Sequence, residues 1–254
     1  MKKQYILLTL LVLTITTLQA QNDSIYFWKS GALLEKRSIK TADLDSITFK
    51  QPTPAIASVT ICTQTWMLKN LDVTTYSDGT PIPQVTNQTA WQNLTTGAWC
   101  YYENDPAKGA IYGKLYNWYA AAGIYDAASA ANPALRKKLA PTGWHVPTDA
   151  DWTTLYICVG GESVAGGKMK ETGTAHWQSP NTDATNSTGF TGLPGGFRNN
   201  NGTFVNIRKV GEWWSSSEFS TADAWYHYIW NQFTDASHDY GNKTKGSSVR
   251  CLRD

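Results

Sequence analysis

The groups through which this 254-residue chain could do chemistry are four histidines, four cysteines, scattered carboxylates and an unusual stock of aromatic rings. His145 stands in Gly143-Trp144-His145-Val146-Pro147, just ahead of a helical pattern, where an imidazole could act as a general base. No Ser or Cys beside it offers a nucleophile, so the expected role is a fixed turn residue hydrogen-bonded to backbone. His176, His227 and His238 stand apart in the chain and make no closely spaced pair of the kind metal sites favour, so no metal ligand is read. Glu103, Asp105, Glu171 and Glu218 supply carboxylates for a glycosidase pair, yet residue order alone brings no two to a working separation. For calcium, Asn231 with Asp235 and Asp239 with Asn242 come nearest to an oxygen-rich loop. Neither makes a full ligand set, and no cofactor is expected.

The aromatics are the stronger candidates for contact with a ligand. Twelve Trp and thirteen Tyr accompany twenty Gly and ten Pro. Trp213, Trp214, Tyr226, Tyr228, Trp230 and Tyr240 fall late in the chain, where strand alternation turns Trp225 and one ring of the Trp213-Trp214 pair inward and leaves others facing out. Exposed rings of this kind stack on sugars or anchor protein partners, because they offer large rigid area at low entropy cost. The competing role is core filling in a Gly-rich fold.

Cys62, Cys100, Cys158 and Cys251 are spaced 38, 58 and 93 residues apart, whereas zinc sites need close pairs such as C-x-x-C. An even count in an exported chain reads as two disulfides. Export is expected from the N-terminus: Lys2 and Lys3, an apolar run from Tyr5 to Leu18 broken only by Thr, and small Ala20 before Gln21. That run is short of the roughly 20 residues a spanning helix needs. Cleavage after Ala20 would leave a chain with no membrane span, placed in the periplasm, at the cell surface or outside the cell. Removing Lys2 and Lys3 from 22 basic residues balances them against 20 acidic ones. A net charge of zero, with basic residues clustered only at Arg136, Lys137 and Lys138, argues against nucleic acid as a partner.

The elements that must position these groups divide at a proline-containing stretch. After the signal (1–20), residues 21–50 read as a small β element: Ile25 to Trp28, a turn at Lys29-Ser30-Gly31, Leu33 to Arg37, then Asp45 to Phe49. Residues 51–58, with Pro52 and Pro54, form the linker. The main domain is 59–254. Leu115, Trp118, Tyr119 and Ala122 predict a helix over Tyr112–Ala122 that stops at Gly123. Thr148 predicts the cap of a second, with Asp151 completing an acidic capping box, Trp152, Leu155, Tyr156 and Val159 on one face, and Gly160-Gly161 as its end. After Phe190 the signals are all β: a turn at Asn199–Gly202, then strands at Trp213-Trp214, Ala224–Trp230 and Ser248–Arg253. In the last of these Val249, Cys251 and Arg253 share one face, suiting Cys251 to a structural role.

Seven motifs in order carry a resemblance to a known family: Thr63 to Leu71 (TQTWMLKNL), Trp99 to Tyr102, Tyr112 to Tyr119 (YGKLYNWY), Pro141 to Pro147 (PTGWHVP), Gly189-Phe190 to Gly195-Gly196, Trp213 to Glu218 (WWSSSE) and Val249 to Asp254 (VRCLRD). Over nearly all of 59–254 the chain resembles the Fibrobacter succinogenes major paralogous domain, found in secreted and cell-surface proteins of Bacteroidota and Fibrobacterota. The resemblance implies an α+β, distantly C-type-lectin-like and formylglycine-generating-enzyme-like fold, with two main helices and many short antiparallel strands. It implies no established activity. Counterparts of Cys100 and Cys251 are frequent in that family and those of Cys62 and Cys158 are not, which favours Cys100–Cys251 and Cys62–Cys158; the lectin-like likeness points instead to Cys158–Cys251 and Cys62–Cys100. The expectation is an exported binding module recognising a carbohydrate or surface protein, ahead of a structural or assembly component and then of a carbohydrate-active enzyme.

Overall fold

The structure is a computed structural model that describes residues 24–29, 32–38 and 56–254. The signal segment, the Asp45–Phe49 stretch and positions 51–55 of the linker lie outside the described residues. The chain forms two compact units, one up to Pro54 and one from Ala55 to Asp254. In the first, β1 (Ser24–Lys29) and β2 (Ala32–Ser38) pair antiparallel as the expected hairpin.

The second unit mixes helices with short antiparallel strands, an α+β arrangement. β3 (Ser58–Ile61) and β4 (Gln64–Met67) make a hairpin. A short helix α1 (Gln88–Gln92) precedes β5 (Trp99–Cys100), α2 (Pro106–Tyr112) and β6 (Leu115–Asn117). One-turn helices α3 (Trp118–Ala121) and α4 (Ala127–Ala131) follow, then β7 (Trp144–His145). The two longest helices are α5 (Asp149–Cys158) and α6 (Glu162–Met169). The rest is strand: β8 (Phe197–Arg198), β9 (Phe204–Val205), β10 (Val210–Glu218), β11 (Asp223–Trp230), β12 (Ala236–Asn242), β13 (Gly246–Ser247) and β14 (Leu252–Arg253). They form three sheets, in the orders β10-β11-β12, β5-β6-β13-β8-β9 and β3-β4-β14-β7.

The predicted helix over Tyr112–Ala122 is not formed as one element. Gly113 takes a φ of 78°, ending α2, and Leu115–Asn117 joins β5 and β13 as a strand before the single turn of α3. Leu115, Tyr116 and Trp118 are all buried, as is Asn117, so there is no polar side for an amphipathic helix to show to water. Asn117 sets the change of direction: its Oδ1 accepts from Ala98 N (2.9 Å) and caps α3 through Ala120 N (3.0 Å). α5 forms as predicted, with the Thr148–Asp151 capping box closed in both directions and Trp152, Leu155 and Tyr156 buried. α6 was not predicted, since Gly166-Gly167 weakens its pattern; a Cβ at Gly166 would stand 2.0 Å from Asp235 O, so only glycine lets this helix lie against the start of β12.

The core is largely aromatic. One cluster joins Trp66, Trp152, Tyr156, Trp177, Phe190 and Trp213; another joins Trp99, Tyr116, Trp118, Trp144 and Trp214. Adjacent residues of β10 therefore serve opposite sides. Both faces of that strand are covered, and its first six residues are buried.

Candidate functional site

Trp213 and Trp214, read from sequence as surface candidates, are 1% and 0% exposed. This corrects the expectation that one of them faces out: each indole donates to an acceptor inside the protein, Trp213 Nε1 to the half-buried Asn70 Oδ1 (2.8 Å) and Trp214 Nε1 to the buried Tyr116 O (2.9 Å). A Trp pair on a strand covered on both faces has no outward side. Tyr226, Tyr228 and Trp230 are half-buried along one face of β11. Tyr226 is capped by the Lys245 ammonium, 3.5 Å from its ring centroid, and packs against Tyr228. Tyr240 alone among the six is exposed, at 48%.

Tyr240 does not stand alone. Phe219, in the β10–β11 turn, is 46% exposed and lies parallel to it with ring centroids 3.8 Å apart. Trp225, which alternation turned inward, is half-buried and meets both edge-on, at 5.0 Å from Phe219 and 5.9 Å from Tyr240. The antiparallel register pairs Trp225 with Tyr240, which puts both on the sheet face that α5 covers further along. Phe219 carried no sequence signal, because a lone Phe in a Ser- and Asp-containing turn has no period to betray it.

On the same face, one pair further along, His227 stands opposite His238. The two histidines that looked isolated are cross-strand neighbours, with ring centroids 5.5 Å apart. The N-terminus of α5 adds a carboxylate: Asp149 Oδ1 lies 3.0 Å from His238 Nδ1 and 3.1 Å from His227 Nε2. Asp149, Trp152 and Tyr156 follow one another at i, i+3 and i+7, so all three face the same imidazole. Trp152 stacks on His227 at 5.0 Å and 18°, and the Tyr156 hydroxyl is 3.1 Å from His227 Nδ1. Trp225 stacks on His238 in the same manner, at 5.0 Å and 20°, and so joins the aromatic group to the His-Asp cluster. The imidazole of His227, with that of His238, holds the Asp149 carboxyl down at about 2. Burial pushes His227 below the ordinary histidine value against the pull of Asp149, favouring its neutral form.

The pair was missed because β12 reads Ala-Ser-His-Asp-Tyr-Gly-Asn, a poor strand sequence by composition. The available signal was the turn: a hairpin whose loop is residues 230–235 pairs 227 with 238.

The other candidates are engaged elsewhere. His145 Nδ1 meets Asp254 Oδ1 at 2.8 Å and its Nε2 lies 3.5 Å from Asp151, so carboxylates rather than backbone fix it. His176 contacts Glu171 at 2.9 Å. Glu103 pairs with Lys108, Glu218 with Lys243, and Asp105 caps α2 through Ala107 N. Glu171 and Asp72 both line a pocket of about 380 Å³, but Asp72 is paired with Lys114 and Glu171 with His176. In the supposed calcium loops, Asn231 donates to Gln178 O and Ser179 O, Asp235 accepts from Ser237, and Asn242 Oδ1 accepts from Thr244.

Cys62 and Cys158 form a disulfide with Cα atoms 6.5 Å apart. Cys100 and Cys251 are buried free thiols in different core clusters, which corrects the expected second bridge. They are packed separately, and burial pushes the Cys100 thiol up to about 12 against the pull of the neighbouring Arg198 guanidinium.

The sequence model of the family described as the Fibrobacter succinogenes major domain matches residues 59–253. The chain belongs to this family. Neither the curated proteins nor the solved structures contain a match to it. Within this Fibrobacter succinogenes major domain the motif residues are chiefly structural. Asn70 accepts from Trp213 and Arg250 and donates to Tyr112 O (2.9 Å) and Ser248 Oγ (3.2 Å), so four of the seven motifs meet at one side chain. Phe219, Trp225, His238 and Tyr240 all lie outside those motifs.

Proposed function

We propose that this Fibrobacter succinogenes major domain is an exported or cell-surface binding module whose contact surface is the aromatic group Phe219, Trp225 and Tyr240. The observation that carries the reading is that Phe219 (46% exposed) and Tyr240 (48%) stack on each other in the open, while among the described residues the other large rings are buried or half-buried except Phe233 (54%). Leaving two stacked rings half in water forgoes burial energy of roughly 1 kcal/mol or more, which a partner would recover. The ligand class is a carbohydrate, with an apolar protein surface as the rival. No helix among the described residues is long and apolar enough to cross a membrane, which accords with a module displayed in water.

The test is a broad glycan panel probed with the purified protein, with and without calcium. Binding to a restricted set of glycans is expected, with no dependence on calcium. A blank panel in both conditions overturns the carbohydrate reading.

A further inference from the structure

Three donor atoms from three elements meet beside the aromatic group: Asp149 Oδ1 from the start of α5, His227 Nε2 from β11 and His238 Nδ1 from β12. All lie within 4.8 Å of one another. Around a tetrahedral ion with bonds of about 2 Å, donor atoms stand about 3.3 Å apart. The two contacts to Asp149, at 3.1 and 3.0 Å, already have that spacing, and the two imidazole nitrogens lie within 4.8 Å of each other.

A second observation points to a ligand. His227 is fully buried, and its Nε2 makes no hydrogen bond, because Asp149 Oδ1 lies close to it but off the line its N–H would take. A buried polar atom left unpaired inside a cluster of donors needs a partner. The other side of the ring is prepared for a metal: with the proton on Nδ1, His227 can donate to the Tyr156 hydroxyl oxygen at 3.1 Å, leaving the Nε2 lone pair free. Trp152 stacked on His227 and Trp225 stacked on His238 hold the two ring planes. The N–H of Asp149 donates to Ser217 Oγ at 3.0 Å, which fixes the start of the helix that presents the carboxylate.

We propose that Asp149, His227 and His238 bind one divalent transition-metal ion of the zinc class. Two imidazole nitrogens with one carboxylate oxygen suit zinc and its neighbours, whereas calcium and magnesium prefer all-oxygen sets. Asp149 and His238 keep 29% and 36% of their side chains exposed, so the ion has a way in and the remaining coordination position faces water. A metal held there would stand one residue pair from Trp225 and Tyr240. Metal binding and glycan binding are nonetheless separable, and either can fail without the other.

The test uses the full purified protein stripped with chelator. Zinc is titrated by calorimetry and cobalt(II) by its visible absorption. One equivalent is expected to bind, with the cobalt spectrum of a four- or five-coordinate site. H238A, in a half-exposed position, should weaken binding at least about 100-fold while circular dichroism shows an intact fold; Y156F should keep the stoichiometry and weaken binding about 10- to 100-fold through the lost support of His227. H145A and H176A should bind as the parent does. Absence of a one-equivalent site, or a site that folded H238A leaves unchanged, overturns the proposal.

Discussion

Lys170 is fully buried, and its ammonium donates to the carbonyls of Thr182 (2.7 Å), Trp230 (3.1 Å) and Phe233 (2.7 Å). Arg198 does the same for Val85, Thr86 and Gly202. Arg250 reaches Asn70 and Phe190 O. Buried cations here tie loop carbonyls that short strands leave unpaired, which answers the need to satisfy buried backbone groups. In the sequence Arg250 reads only as part of a terminal strand over Ser248–Arg253, of which the structure forms Leu252–Arg253. A cation whose partners are carbonyls carries no pairing signal in the sequence, because every residue has a carbonyl. The thiols give a direct prediction at this scale. Burial raises both Cys100 and Cys251, so neither supplies thiolate near neutral pH. A thiol reagent should find no group in the native oxidised protein at pH 8, two in guanidinium, and four after reduction. Finding none in guanidinium without reductant would mean that Cys100 and Cys251 are bridged.

Among the elements, α5 was legible and Tyr112–Ala122 was not, and the difference is physical. α5 has its cap, box, apolar face and stop within one stretch of sequence, from Thr148 to Gly161. The pattern over Tyr112–Ala122 matched helical spacing equally well, but those residues are buried on all sides and their strand partners lie near residues 99 and 247, beyond the reach of any local window. Tertiary pairing outweighed local period there. The cap of α5 can be measured. Thr148→Ala removes the acceptor for Asp151 N (3.2 Å) and should cost about 1 kcal/mol in urea unfolding with an unchanged slope. A change below a few tenths would mean that the box contributes nothing to the helix carrying Asp149.

At the scale of the molecule, β10 divides two aromatic cores, and the Cys62–Cys158 bridge ties the end of the β3 strand to the end of α5 across 96 residues. In the chain-entropy model such a loop contributes about 4 to 5 kcal/mol. The family and the mixed α+β class were legible because the motif residues converge on ties such as the half-buried Asn70. The candidate site was legible only in Tyr240, since Phe219 sits in a turn and Trp225 depends on a register set by β12, which composition hides. In the proposed function the binding face carries Phe219, Trp225 and Tyr240, and the opposite face of β11 does not act in binding. The most direct measurement compares two double variants on whatever glycan the panel returns: F219A/Y240A on one face and Y228A/W230A on the other. F219A/Y240A should lose affinity at least about 10-fold, at roughly 1 kcal/mol per stacked ring, while Y228A/W230A binds as the parent does. Full binding by F219A/Y240A, or loss confined to Y228A/W230A, would contradict the account.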